Sequence, residues 1–289
     1  MDPIDLMKMY MSRRLLPIVI GLAIGIITLS GPVLVTGCNQ RAASTSTGMA
    51  VSFDGSGQVS IPNITTAQAN VTLESWVKLP ANPKGCFVKI GDANTGYGIG
   101  VGASHTSFDT NYPGNALIGL YENTAWMYPT GDPKLSPGAW HHIAFVIGAA
   151  GTAPKFYIDG APQVATAPNT PHAPSGGGAI GNDLGGDRAT NATLAKVAVY
   201  NSALSPERIT AHATATSDAS YDTAVLADAP VAFYELNEEN GPIATDSSGN
   251  SNTGTYSGGV KFLQPGPFAI SQQPASAASP QQPESTSQH

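Results

Sequence analysis

Residues 138–164 read GAWHHIAFVIGAAGTAPKFYIDGAPQV, and this stretch decides the fold. Two alternating apolar runs flank a Gly/Ala/Pro loop, and the second run closes on Asp159-Gly160, a strong short-range hairpin signal. The rest of the chain agrees with it. Charged residues make up only 11% of the sequence, Gly and Pro number 32 and 23, and short alternating runs recur, which together read as an extracellular all-β domain. The net charge is −7 and Lys and Arg do not cluster after Arg13-Arg14, which excludes nucleic acid as a partner.

Working outward, further blocks stand in a fixed order: Val51–Pro62 (VSFDGSGQVSIP), Val71–Lys78 (VTLESWVK), Gly98–Gly102, Leu117–Tyr121, and Lys196–Ile209 (KVAVYNSALSPERI). With Trp-His-His-Ile-Ala and Phe-Tyr-Ile-Asp-Gly of the hairpin, this series resembles the laminin-G-like, concanavalin A-like lectin/glucanase jelly-roll family. The resemblance implies an all-β, two-sheet antiparallel sandwich over residues 49–215. Lectins, adhesion modules and glucanases all use that fold, so the resemblance does not choose a function. One short helix is expected near 205–215, with Ser205 as N-cap, Pro206 at its first position and Glu207 in its first turn.

The two ends lie outside the sandwich. Arg13-Arg14 precede an apolar run from Leu15 to Val35 that ends Val35-Thr36-Gly37-Cys38, resembling a signal peptide (1–37) with a bacterial lipobox. Cys38 is then the lipidation site, and residues 38–48 a flexible tether. The competing reading is an uncleaved anchor, since about twenty apolar residues are enough to span a bilayer. Either way the expected location is extracytoplasmic, on a bacterial membrane or cell surface. Met11 reads as a more natural start than Met1, and Ser12-Arg-Arg-Leu-Leu as a weak twin-arginine signal. At the other end, 267–289 is rich in Ser, Gln, Pro and Ala and reads as a disordered tail.

Residues 229–266 resemble the leader that precedes the family's opening strand, yet here they follow the domain. They are either a truncated tandem repeat or a permuted piece that folds back onto the first sandwich across the linker 216–228. Fold-back is favoured, because Phe233, Leu236, Tyr256, Val260 and Phe262 are costly to leave in water and an isolated strand pair is marginal. Of the two cysteines, Cys86 lies in an apparent strand and reads as a small buried hydrophobe. A Cys38–Cys86 disulfide is the alternative.

Glucanases of this family carry a Glu-x-Asp-x-(x)-Glu strand for retaining hydrolysis, and no such run exists here. The nearest carboxylates are Glu74, alone on its strand, and Glu235 with Glu238 and Glu239, so no catalytic residue is assigned. His141 and His142 are neighbours on a strand and face opposite ways, which prevents joint chelation. His105, His172, His212 and His289 are scattered. Calcium is the one cofactor considered, with Asp246, Asn250, Asp54 and Asp183 (beside Asn182) as loop ligands and turn formation as the competing role. The family's acidic pair before the last strand is replaced by Ala195-Lys196, which counts against calcium. For sugar stacking, Tyr97 and Tyr112 lie nearby, but the segment 121–128 (YENTAWMY) offers the ligand-binding candidates Tyr121, Asn123, Trp126 and Tyr128. Trp76 and Trp140 read as core. Asn63, Asn70 and Asn191 head Asn-x-Ser/Thr triplets that mean little in a bacterial lipoprotein.

The expectation is a non-catalytic, membrane-tethered extracellular module that recognises a glycan or cell-wall polysaccharide. A protein-binding adhesion or structural module is the alternative, and a divergent glycoside hydrolase the weaker one.

Overall fold

The computed structural model describes residues 48–269, apart from 63, 65, 68, 93–94, 103–113, 115, 122–124, 128, 132, 165–172, 184 and 187. For 118, 120, 121 and 125–127 it describes the backbone. The first strands are β1 (Met49–Phe53), β2 (Gln58–Ile61), β3 (Val71–Lys78), β4 (Gly85–Ile90), β5 (Tyr97–Val101), β6 (Leu117–Tyr121) and β7 (Ala125–Met127). Then come β8 (Trp140–Ile147), β9 (Lys155–Ile158), β10 (Ala161–Gln163), β11 (Gly178–Ile180) and β12 (Thr193–Tyr200). Two helices follow, α1 (Pro206–Ala213) and α2 (Asp218–Ala227). The chain then adds β13 (Ala232–Tyr234), β14 (Ile243–Ala244), β15 (Gly254–Ser257) and β16 (Val260–Pro265).

These strands form two antiparallel sheets. One runs β10-β9-β8-β3-β12-β1-β16, with β13 also paired to β12; the other runs β14-β15-β2-β11-β4-β5-β6-β7. Asp159 and Gly160 both take positive φ (51° and 78°), the two-residue turn that Asp-Gly favours, and join β9 to β10. Between the sheets lie Val71, Leu73 and Val77 of β3, Phe145 of β8, Phe87 and Val88 of β4, and Tyr97 and Ile99 of β5. Phe145 stacks on Phe156 with ring centroids 4.7 Å apart. A Cβ on Gly119 of β6 would come within 2.7 Å of the Phe156 ring and 2.9 Å of Phe145. Gly119→Ala is therefore expected to destabilise the domain by about 1–3 kcal/mol through overpacking. An unchanged urea midpoint would mean that the rings yield freely.

Residues 232–265 are built into both sheets. β13 pairs with β12 and β16 with β1, while β15 pairs with β2 and carries β14 on its far side. The turn from β15 to β16 crosses between the sheets at Gly258-Gly259, where a side chain on Gly259 would collide with the Asp54 carboxylate. Pro267–Ala269, which the sequence assigns to a disordered tail, are ordered: Phe268 packs edge-on against Trp76, with centroids 5.3 Å apart.

The second departure from the sequence reading is α2, which occupies most of the stretch expected to be a linker. Its capping box uses Ser217 and Ser220 in place of the commoner acidic partner, and it buries only Tyr221 and Val225. A helix with so narrow an apolar stripe leaves little periodic signal. Together α1 and α2 cover the outer face of the first sheet, so β3 is buried on both sides: Trp76 packs under the helices while Leu73 and Val77 face the other sheet.

Candidate functional site

Among the described residues, β7, which carries part of the segment proposed for ligand contact, is the last strand of the second sheet and pairs with β6. Its register sets Ala125 against Tyr121 and Trp126 against Leu120. Paired residues share a face and successive residues alternate, so Tyr121 and Trp126 occupy opposite faces of the sheet. Trp126 belongs to a cross-strand row that continues through Leu120, Gly98, Lys89, Ala179 and Ser60. Tyr121 shares its face with Tyr97, which is fully buried between the sheets. Asn123, Tyr128 and Tyr112 lie outside the described residues.

Next to Gly98 in that row, the buried Lys89 ammonium turns into the β4–β5 loop. It donates to the carbonyls of Ile90 (3.2 Å), Asp92 (3.0 Å) and Thr95. Burial pushes its pKa down to about 8. Cys86, also buried, is a free thiol that donates to the Val88 carbonyl, and burial pushes its pKa up to about 12.

The four residues considered for calcium sit in three local networks, Asp246 and Asn250 sharing one through Ser248. Asp246 accepts the N–H groups of Phe233, Ser248 and Asn252 at 2.8–2.9 Å, knotting its loop onto β13. Asn250 donates to the carbonyls of Pro230 and Val231. Asp54 accepts from the N–H and hydroxyl of Ser56, which lowers its pKa. Asp183 is ion-paired with Arg188 at 2.5 Å. Among the described residues, no group of three or more His, Cys, Asp or Glu side chains is placed to hold a metal. Cys38 lies outside the described residues.

His141 belongs to a constellation that the sequence reading did not single out. Its Nε2 lies 2.7 Å from Ser136 Oγ and its Nδ1 2.8 Å from Asp159 Oδ2, while Asp159 Oδ1 accepts the His142 N–H. This is the order of a Ser-His-Asp relay, but the oxyanion donors such a relay needs are not supplied beside the serine. Pro137 has no N–H, Gly138 gives its own to Leu79 O, and Ser136 gives its own to His141. The trio instead clamps the loop before β8 onto the Asp159-Gly160 turn. The hydrogen bond to Asp159 holds the pKa of His141 above 6.5. Asp159→Asn should return it toward that value, read from the ring proton shifts across a pH titration; no change would place the cause elsewhere.

The carboxylates weighed for hydrolysis are engaged as well. Glu74 is fully buried beneath α1 and α2. It accepts from the Tyr200 and Tyr221 hydroxyls on one oxygen and lies 3.0 Å from His212 Nδ1 and 3.4 Å from His142 Nε2 on the other. Glu235 pairs with Lys196 (3.0 Å) and accepts from Ser247. Glu238 accepts from Thr245 N–H and the Tyr256 hydroxyl. Lys196 explains a strained point of β12. It takes φ +56° at a bulge between Ala195 and Ala198, and its ammonium lies within 3.2 Å of Asp218, Asp222 and Glu235. The bulge shifts the strand's parity, so Leu194 and Val197 both reach the inter-sheet core.

The family described as the Concanavalin A-like lectin/glucanases superfamily matches residues 53–210. Among solved structures, a "putative carbohydrate binding protein" from Bacteroides ovatus superposes with a TM-score of 0.56 at 16% identity, over 77% of this chain and 61% of that one. This chain thus spans less than two thirds of that protein's length. A heptameric SAP-like pentraxin from Limulus polyphemus superposes with a TM-score of 0.53 at 14% identity, over 77% of this chain and 98% of that one. At such identities the likeness is one of fold. No curated protein matches the sequence.

Proposed function

The chain belongs to the Concanavalin A-like lectin/glucanases superfamily, and we propose that it is a non-catalytic binding module for a glycan or cell-wall polysaccharide. The observation that supports this reading is the aromatic, amide-bearing sequence of 121–128, whose strand β7 ends the second sheet among the described residues. Aromatic faces stack on pyranose rings and an amide bonds hydroxyls, which suits a sugar chain crossing a sheet edge. Hydrolysis is disfavoured by the engagement of Glu74, Glu235 and Glu238 in structural contacts. In the same reading, Cys38 carries lipid and holds the module at the outer side of a bacterial membrane, on the strength of the lipobox-like Val35–Cys38. Incorporation of an alkyne fatty acid in a bacterial host, lost in Cys38→Ala, tests the tether.

The test of function is a screen of residues 41–289, a compact unit in themselves, against soluble glycans and cell-wall polysaccharides, in calcium and again in EDTA. Saturable binding that survives EDTA is the expected result, since backbone amides already take the Asp246 carboxylate. Binding abolished by EDTA would restore calcium. A folded protein that binds no glycan would overturn the reading in favour of a protein partner.

A further inference from the structure

The α1–α2 pair carries a titratable cluster that glycan binding does not use. His212 of α1 is fully buried. Its Nδ1 lies 3.0 Å from Glu74 Oε2 on β3, and its Nε2 lies 3.0 Å from Asp228 Oδ2 just beyond α2. Only the Nδ1 contact has hydrogen-bond geometry, but a carboxylate oxygen lies 3.0 Å from each ring nitrogen, and two anions so close favour the imidazolium.

The surrounding groups share the same two carboxylates. From β12, the Tyr200 hydroxyl donates to Glu74 and its ring stacks on His212 at 6.4 Å. From α2, the Tyr221 ring meets His212 edge-on at 6.0 Å. From β8, His142 shares the Glu74 oxygen. On α1 itself, Arg208 pairs with Asp228 at 2.8 Å. The remaining anchors of α2 are the ion pairs of Asp218 and Asp222 with Lys196, beside Glu235. Apolar anchoring is slight by comparison: Ile209 from α1, Tyr221 and Val225 from α2.

We propose that α1 and α2 form a pH-gated cap, closed by the His212 imidazolium bridging Glu74 and Asp228 and loosened from the sheet when that ring loses its proton. Burial pulls the pKa of His212 down, but the Glu74 hydrogen bond and the charges of Glu74 and Asp228 outweigh it, and the net value is above 6.5. A raised pKa of this kind gives stability that is complete below 6.5 and lost as pH rises through the folded-state value. Burial raises the pKa of Asp222 from 3.8 to about 6, so its contribution falls as pH rises between those two values and is spent above them. The cap is tightest in mild acid and loosest in alkali, and its release uncovers Trp76, Tyr200 and Phe233 on the sheet.

Amide hydrogen exchange on the full chain, corrected for intrinsic rates, tests the proposal at pH 5.5 and pH 9. Protection of residues 206–227 should fall by about tenfold or more between the two, with β3 and β8 unchanged. In His212→Gln the helices should be weakly protected at both pH values, without the slope. Because that variant risks misfolding, nitrogen NMR of the His212 ring in the unaltered chain provides a second test. Both ring nitrogens should be protonated at pH 7. A neutral ring at pH 7, or protection of 206–227 that does not depend on pH, would overturn the proposal.

Discussion

A chain ending at Asp228 is expected not to fold. Cutting there removes β13 and β16 from one sheet and β14 and β15 from the other, so β1 and β2 both lose a hydrogen-bonded neighbour. It also removes Phe233, Tyr234, Leu236 and Tyr256, each at most 7% exposed. Burial of one such side chain stabilises a fold by about 1.5–3 kcal/mol. Losing four of them approaches the whole stability of a typical domain, about 5–15 kcal/mol. Circular dichroism should show no cooperative thermal transition in the truncated chain. A cooperative melt would mean that the domain stands without its last four strands and that 229–266 are an appendage.

Glu74→Ala should lower stability by about 3–5 kcal/mol, the range for removing one partner of a buried ion network. The substitution strands the His212 charge in the core and leaves the Tyr200 hydroxyl without its acceptor. Glu74→Gln keeps the shape and one acceptor and should cost less. Burial works to raise the Glu74 pKa, but the hydrogen bonds and charges of His142 and His212 prevail and hold it well below 4.5. The stability it contributes is therefore present above pH 4.5 and lost as the pH falls below it. With the opposite slope from His212, the stability maximum of the native chain is expected in mild acid. Urea midpoints measured across pH would show this, and Glu74→Ala should flatten the acid limb. A loss under about 1 kcal/mol would place Glu74 among ion pairs of surface strength.

Much of the sandwich was legible because its signals are local. The hairpin of 138–164 announces itself through period-two alternation and Asp159-Gly160, and α1 through Ser205 and Pro206, whose cap the structure reproduces. What escaped the sequence depends on distant partners. Glu74 read as a lone carboxylate because Tyr200 and His212 are 126 and 138 residues away. The Lys196 bulge was illegible because its compensating carboxylates sit on α2 and just after β13. The Ser136-His141-Asp159 clamp left a usable trace, since the Asp of an Asp-Gly turn lies beside the strand that carries the histidine. At the candidate ligand segment, the sequence grouped Tyr121 with Trp126, and the β6–β7 register separates them onto opposite faces. That separation leaves Trp126, off the face of the buried Tyr97, as the residue proposed for contact.

The claim that this edge receives a sugar is tested most directly by an NMR titration of residues 41–289 with the polysaccharide that binds best in the screen. The account predicts that the largest shift changes fall on 121–128, centred on Trp126, and that Trp126→Ala abolishes them while leaving the fold intact. Shift changes elsewhere on the domain, with 121–128 silent and Trp126→Ala binding as well as the native chain, would contradict it.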